Sequence, residues 1–165
     1  MTQQTHQTTI TKDLANKKII VVREFDGTLK EVWKAWTESE WLDKWWAPRP
    51  WKAITKEMNF TEGGHWLYYM AGPNDEKQFC RVDYKTIQPE KSFTAVDAFC
   101  DENGNDIGGF PNMHWKNVFT KTETGTEVTV EITFKTEEDL NKIIEMGFKE
   151  GFTMAHNNLD ELLAK

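Results

Sequence analysis

Apolar residues follow two rhythms along this chain, a period near two through its middle and a period near 3.6 on either side. "KIIVVREF" (Lys18 to Phe25) is rich in β-branched residues and ends at Asp26-Gly27, which predicts a first strand. Thr28 and Glu31 then stand at capping-box spacing, and Leu29, Val32, Trp33 and Trp36 recur at helical intervals. A short amphipathic helix over Leu29 to Trp36 follows from that pattern. "SEWLDKWW" predicts a second one, opened by Ser39 and stopped before Pro48, with Trp41, Leu42, Trp45 and Trp46 on one broad face.

After Pro50 the pattern changes to alternation punctuated by turns. Strands are predicted near Lys52–Phe60, His65–Ala71, Gln78–Ile87, Phe93–Cys100, Phe110–Lys121 and Glu127–Lys135. Their breaks, "TEGG", "GPNDE", "QPEK", "DENGND" and "TETGT", carry turn chemistry and are short enough to favour antiparallel hairpins. In the last strand Val128, Val130, Ile132 and Phe134 alternate with Thr129, Glu131, Thr133 and Lys135, so one face is buried and one is wet. Thr136 and Asp139 open a final helical pattern that runs to Ala164, roughly 40 Å at 1.5 Å per residue. Gly147 and Gly151 share one face of it and either admit the sheet closely or leave a gap beneath.

A strand, two short helices, six strands and a long amphipathic helix define an α+β domain. Its curved antiparallel sheet must cover its apolar face, and the last helix is the element large enough to do so. Residues 1–16, rich in Thr and Gln, are expected to be a flexible tail, and residues 17–165 one domain. The 165 residues suffice for a sizeable core. With 27 acidic against 20 basic residues the net charge is -7, and no basic run offers a footprint for nucleic acid. Neither a signal peptide nor an apolar stretch of membrane-spanning length is legible, and two cysteines do not make a secreted disulfide scaffold. The expected location is cytoplasmic, as a monomer or homodimer.

Four segments, "VWKAWTESEWLDKWWAP", "NFTEGGHWLYYMAGP", "VDAFCDENGN" and "EMGFKEGFTMAHNNLDELLA", together resemble the family of homologues of activators of the heat-shock protein 90 ATPase. That family belongs to the START-like, or SRPBCC, superfamily. The resemblance covers about Lys18 to Leu163 and implies a helix-grip fold with a deep cavity between the sheet and the C-terminal helix. Superfamily members bind lipids, hormones or polyketides there, and some act on them chemically. Two departures stand out. Ala47 occupies a place where related chains often have glycine, and only a short tail stands where eukaryotic co-chaperones of the family carry a chaperone-binding domain.

The candidate chemistry is sparse. His6, His65, His114 and His156 show no metal-ligand spacing, and no Gly-x-Ser-x-Gly elbow or phosphate loop is present. His114 and His156 can reach a cavity from a strand and the helix, but no acid or base partner is identifiable. No catalytic residue, metal or cofactor is assigned. A three-residue connection Pro89-Glu90-Lys91 would set Cys80 opposite Cys100, whereas a bulge would separate them; buried free thiols are the expectation.

Five of the eight tryptophans crowd into Trp36 to Trp51. Trp33 and Trp36 are read as core anchors, and Trp45, Trp46 and Trp51 as surrounding a cavity mouth. Met113, Trp115 and Phe119 share an inward face that also carries Asn117, which either ties the core together or orients a ligand. Trp66, Tyr68 and Met70 form a parallel wall, and Phe148 and Phe152 point from the helix to the sheet. The expected function is therefore non-catalytic binding of a small, largely hydrophobic molecule by Trp46, Trp66, Tyr68, Met70, Met113, Trp115, Asn117, Phe148 and Phe152. Two alternatives stay open: a chaperone-associated protein, as the family name implies, or a cyclase- or hydrolase-type enzyme using the same cavity.

Overall fold

The computed structural model describes residues 7–108 and 111–164. Eight strands form one antiparallel sheet: β1 (Thr9–Asp13), β2 (Lys18–Phe25), β3 (Lys52–Met58), β4 (His65–Ala71), β5 (Lys77–Gln88), β6 (Ser92–Cys100), β7 (Met113–Lys121) and β8 (Thr126–Thr133). Their spatial order is β1-β2-β8-β7-β6-β5-β4-β3. Every connection from β3 to β8 joins spatial neighbours, most of them through short turns and β6 to β7 through a longer segment, and β8 closes back onto β2. The first helix, α1 (Leu29–Thr37), and the second, α2 (Ser39–Trp45), carry the chain from β2 to β3, at the far end of the sheet. The helix-grip arrangement expected from the sequence is the one observed.

Local signals explain most boundaries. The capping box forms in full: Thr28 Oγ1 accepts from the Glu31 amide, and Glu31 accepts from the Thr28 amide. The α2 helix differs, since Glu38 rather than Ser39 is its N-cap, with no side-chain hydrogen bond. Alternation in β8 holds throughout, with Val128, Val130 and Ile132 buried beside Phe134. The expected start of β7 at Phe110 lies outside the described residues, and the strand begins at Met113.

Two expectations are corrected, and one alternative left open is decided. The segment before residue 17 is not all tail: Thr9–Asp13 pairs with Val22 to Lys18 as an edge strand. Its side chains are mostly exposed, so the sequence pattern carried no apolar face to reveal it. Residues 1–6, with His6, lie outside the description.

The final helix is two, α3 (Glu137–Glu145) and α4 (Phe148–Leu163), separated at Gly147 with φ +93°. That left-handed conformation ends α3 and is open to glycine at little cost.

Lastly, Cys80 faces Phe99 and Cys100 faces Phe79, because a bulge at Lys85 shifts the β5–β6 register by one residue. A one-residue slip exchanges faces. Cys80 therefore looks into the molecule, Cys100 looks out, and both are buried free thiols.

The core lies between the inner face of the sheet and α1, α2 and α4. Buried positions on α4, Phe152, Ala155, His156 and Leu159, follow the expected i, i+3, i+4, i+7 stripe. Asn158 donates to the carbonyls of Trp45 and Ala47, satisfying backbone at the end of α2. A polar cluster also crosses this core. The buried Arg23 guanidinium pairs with Asp160 and donates to Asn157 Oδ1 (2.8 Å) and Thr8 Oγ1 (2.9 Å). The same Thr8 hydroxyl meets His156 Nδ1 at 2.9 Å. The N-terminal segment thus closes a network that the sheet and α4 open.

Candidate functional site

Between the inner face of β4–β7 and the junction of α3 with α4 lies a cavity of about 240 Å³. Its walls are largely apolar. Tyr68 and Met70 project from β4, Cys80 from β5, Asp97 and Phe99 from β6, and Met113 and Trp115 from β7. Alternation brings these side chains together, since residues two apart on a strand share a face. The opposite wall is helical: Ile143, Met146, Phe148 and Phe152, with Gly147 and Gly151 between them. A methyl group at Gly151 would meet only Pro48 Cγ at 3.8 Å, an ordinary contact. Of the two readings of this glycine pair, the gap is the one seen: Gly147 turns the chain and Gly151 leaves space.

Seven of the nine predicted site residues border this cavity: Trp46, Tyr68, Met70, Met113, Trp115, Phe148 and Phe152. Trp66 and Asn117 border a second, deeper space of about 30 Å³, roughly one water's volume. Asn117 sits there with its amide donating weakly to the Phe93 carbonyl (3.5 Å) and with Oδ1 unpartnered among the described residues.

Among the tryptophans predicted at the mouth, only Trp46 lines the cavity. Trp45 is wholly buried and donates to the Ala35 carbonyl (2.8 Å), which makes it a core residue tying α2 to α1. His114 lies on the outer face, exposed, because neighbouring Met113 and Trp115 take the inner one. His156 stands behind Phe152, ring centroids 4.3 Å apart, and does not border the cavity.

The aromatic wall is held in place. Trp46 Nε1 donates to the Tyr68 hydroxyl (2.8 Å), and Tyr68 stacks on Trp66 at 4.0 Å. Trp66 Nε1 donates to Thr55 Oγ1 (2.9 Å), which in turn donates to Asp43 (2.6 Å). Trp46, Trp115 and Phe152 form a triangle with centroids 5.7–5.9 Å apart. Such fixed rings lose little entropy when a ligand arrives.

Asp97 is the residue that sequence reading missed. It borders both spaces, and its Oδ1 is covered without a hydrogen-bond partner among the described residues. As a whole the residue keeps intermediate exposure, since it faces the open cavity. Burial raises its carboxyl from 3.8 to about 7, against smaller stabilisation of the charged form by Trp115 and the Met113 backbone. Burial, then the Asp97 charge, pushes the Cys80 thiol up to about 12. The Tyr68 phenol is raised well above 10, by burial and then by the charges of Cys80 and Asp97. At neutral pH, then, Asp97 alone of the three ionises. The signal was present in "FTAVDAFC": Phe93, Ala95, Asp97 and Phe99 alternate on one face, with an acid in an apolar series.

Comparison with known proteins agrees with this geometry. The model of the family "Activator of Hsp90 ATPase homolog 1-like protein" matches residues 26–164. A solution structure of a protein from Arthrobacter aurescens is 32% identical with a TM-score of 0.89, covering 94% of this chain and 91% of that one. Protein Ms6760 from Mycobacterium smegmatis is 28% identical with a TM-score of 0.87, over 94% and 96% of the two chains. A Staphylococcus epidermidis protein is also 28% identical, with a TM-score of 0.83 over 94% and 93%. No curated protein matches the sequence.

Proposed function

Because the chain belongs to the family of Activator of Hsp90 ATPase homolog 1-like proteins, we propose that it binds a small, largely hydrophobic molecule, without catalysis, between its sheet and C-terminal helices. The observation that carries this reading is the 240 Å³ cavity, walled by fixed aromatic and aliphatic side chains. An apolar cavity of roughly 150 Å³ is enough to hold benzene. This one suits a molecule of one to two rings.

The cavity walls offer no activated thiol nucleophile. A nucleophile needs an activating base or a lowered pKa, and Cys80 has its thiol pushed up instead. No cluster of metal-ligating side chains occurs among the described residues. The family match favours a second reading, contact with a heat-shock protein 90 chaperone, which requires a surface rather than this cavity.

Naphthalene, titrated while the indole N–H resonances are followed by NMR, tests the first reading. Trp46 and Trp115 should shift with a saturable dependence, while Trp33, away from the cavity, stays put. Phe152→Ala should cost about 2–3 kcal/mol, below the ~3–5 of a fully packed phenylalanine, because one side of its ring already borders empty space. It should also weaken naphthalene binding several-fold. A full-sized loss of stability with unchanged affinity would remove Phe152 from the site, and no saturable shift at all would end the binding reading.

A further inference from the structure

The cavity holds one charge-bearing group, Asp97, whose hydrogen-bonding capacity the fold uses only in part. Asp97 makes no ion pair among the described residues, and hydrogen bonding from the Trp115 side chain and the Met113 backbone only partly offsets its burial, since Oδ1 stays without a close partner there. A carboxylate largely withdrawn from water and only partly satisfied is costly, and a fold that needs only an apolar wall would place Val or Leu there, as the alternation of Phe93, Ala95 and Phe99 already does. An unmet acceptor inside a ligand-sized space points to a ligand that supplies the missing donor.

The surroundings narrow the chemistry of that donor. No lysine, arginine or histidine borders the cavity among the described residues, so nothing offers a charge to an anionic ligand. From β4 and β5, Asp97 is faced by the Tyr68 phenol and the Cys80 thiol, both held neutral. From β7 it is faced by Trp115, and the helices contribute Met146, Phe148 and Phe152, none of which titrates. Trp46, Trp115 and Phe152, an aromatic triangle, line the same cavity as Asp97, and aromatic rings attract cations as well as apolar groups. One carboxylate among aromatic rings is the composition of an ammonium site.

We infer that the ligand of this cavity is a hydrophobic amine of one to two rings, its ammonium group neutralised by the Asp97 carboxylate and its body packed against Trp46, Trp115 and Phe152. This rests on the hydrophobic-ligand reading above and specifies its polar end. Binding is then linked to pH. An aliphatic ammonium stays charged from pH 6 to 8, while Asp97 passes from mostly protonated to mostly ionised around 7. Affinity should rise about tenfold over that interval, following the ionised fraction.

The test compares phenethylamine, phenethyl alcohol and phenylacetate by isothermal titration at pH 6 and pH 8, with naphthalene as the uncharged reference. The wild type should bind phenethylamine at least tenfold tighter than phenethyl alcohol at pH 8, with most of that preference gone at pH 6. In Asp97→Asn the amine and the alcohol should bind within about threefold of each other at both pH values. Equal binding of amine and alcohol by the wild type, tightest binding of phenylacetate, or an amine preference that survives in Asp97→Asn would each overturn the assignment. In those cases continued naphthalene binding leaves the apolar cavity standing. Failure of naphthalene and all three probes removes both readings. The wild-type comparison of amine with alcohol across pH decides the question even if the variant does not fold.

Discussion

Asp97→Asn should make the protein more stable, and increasingly so as pH rises. In the folded chain the Asp97 carboxyl keeps its proton up to about pH 7, while the same group in the unfolded chain releases it near 3.8. Between those values the native state binds the extra proton, so raising the pH favours unfolding. Each pKa unit corresponds to about 1.4 kcal/mol, which puts the whole window on the order of 4 kcal/mol. Asparagine has the shape of the protonated acid and cannot ionise, so the variant escapes the loss. Any constant offset from exchanging a hydroxyl for an amide cancels when one pH is compared with another. From pH 5 to pH 8 the variant's advantage over wild type should therefore grow by about 2–3 kcal/mol. Urea denaturation at four pH values, followed by tryptophan fluorescence and by circular dichroism, measures this directly. Taking the difference between the two proteins removes the contribution of every other titrating group. Parallel stability curves across pH 5–8 would refute the reasoning, since they would mean that Asp97 ionises as freely in the folded chain as in the unfolded one.

Two further outcomes are expected. Deleting residues 2–14 removes β1 and takes Thr8 away from Arg23 and His156, leaving a buried guanidinium N–H and an imidazole nitrogen without that partner; a loss of about 2–4 kcal/mol should follow, and an unchanged melting temperature would show that the strand contributes nothing. The His156 ring should remain neutral well below pH 6, because burial, and then the neighbouring Arg23 charge, lower its pKa from 6.5 to about 3. With a folded value below the unfolded one, its contribution to stability is present above pH 6.5 and is lost as pH falls from 6.5 towards 3. An NMR titration showing an inflection of the ring resonances near pH 6.5 would contradict this.

Much of the architecture was legible in one dimension, for a physical reason. Period-two alternation in β8, the Thr28–Glu31 capping box and the short turn-rich breaks act over a few residues, so local sequence is enough to specify them. The same alternation placed Tyr68, Met70, Met113 and Trp115 on one face, and helical spacing did so for Phe148 and Phe152, which is why most of the cavity wall could be anticipated.

What escaped depends on contacts between distant segments. Strand β1 exists through its pairing with β2 and the hydrogen bonds of Thr8, since its own side chains are mostly exposed. The bulge at Lys85 sent Cys80 inward and Cys100 outward, and no local pattern marks where a strand will slip by one residue. The helical stripe continues unbroken across Gly147, so only the backbone geometry shows that α3 ends there and α4 begins. Trp45 and Trp46 are adjacent and chemically identical; one fills the core and the other lines the cavity because their helix presents them to different neighbours. Asp97 was visible as an acid in an apolar series, but its ionisation near neutrality is a property of the tertiary structure. It arises where β4, β5 and β7 remove water from a carboxylate and supply no positive charge in return.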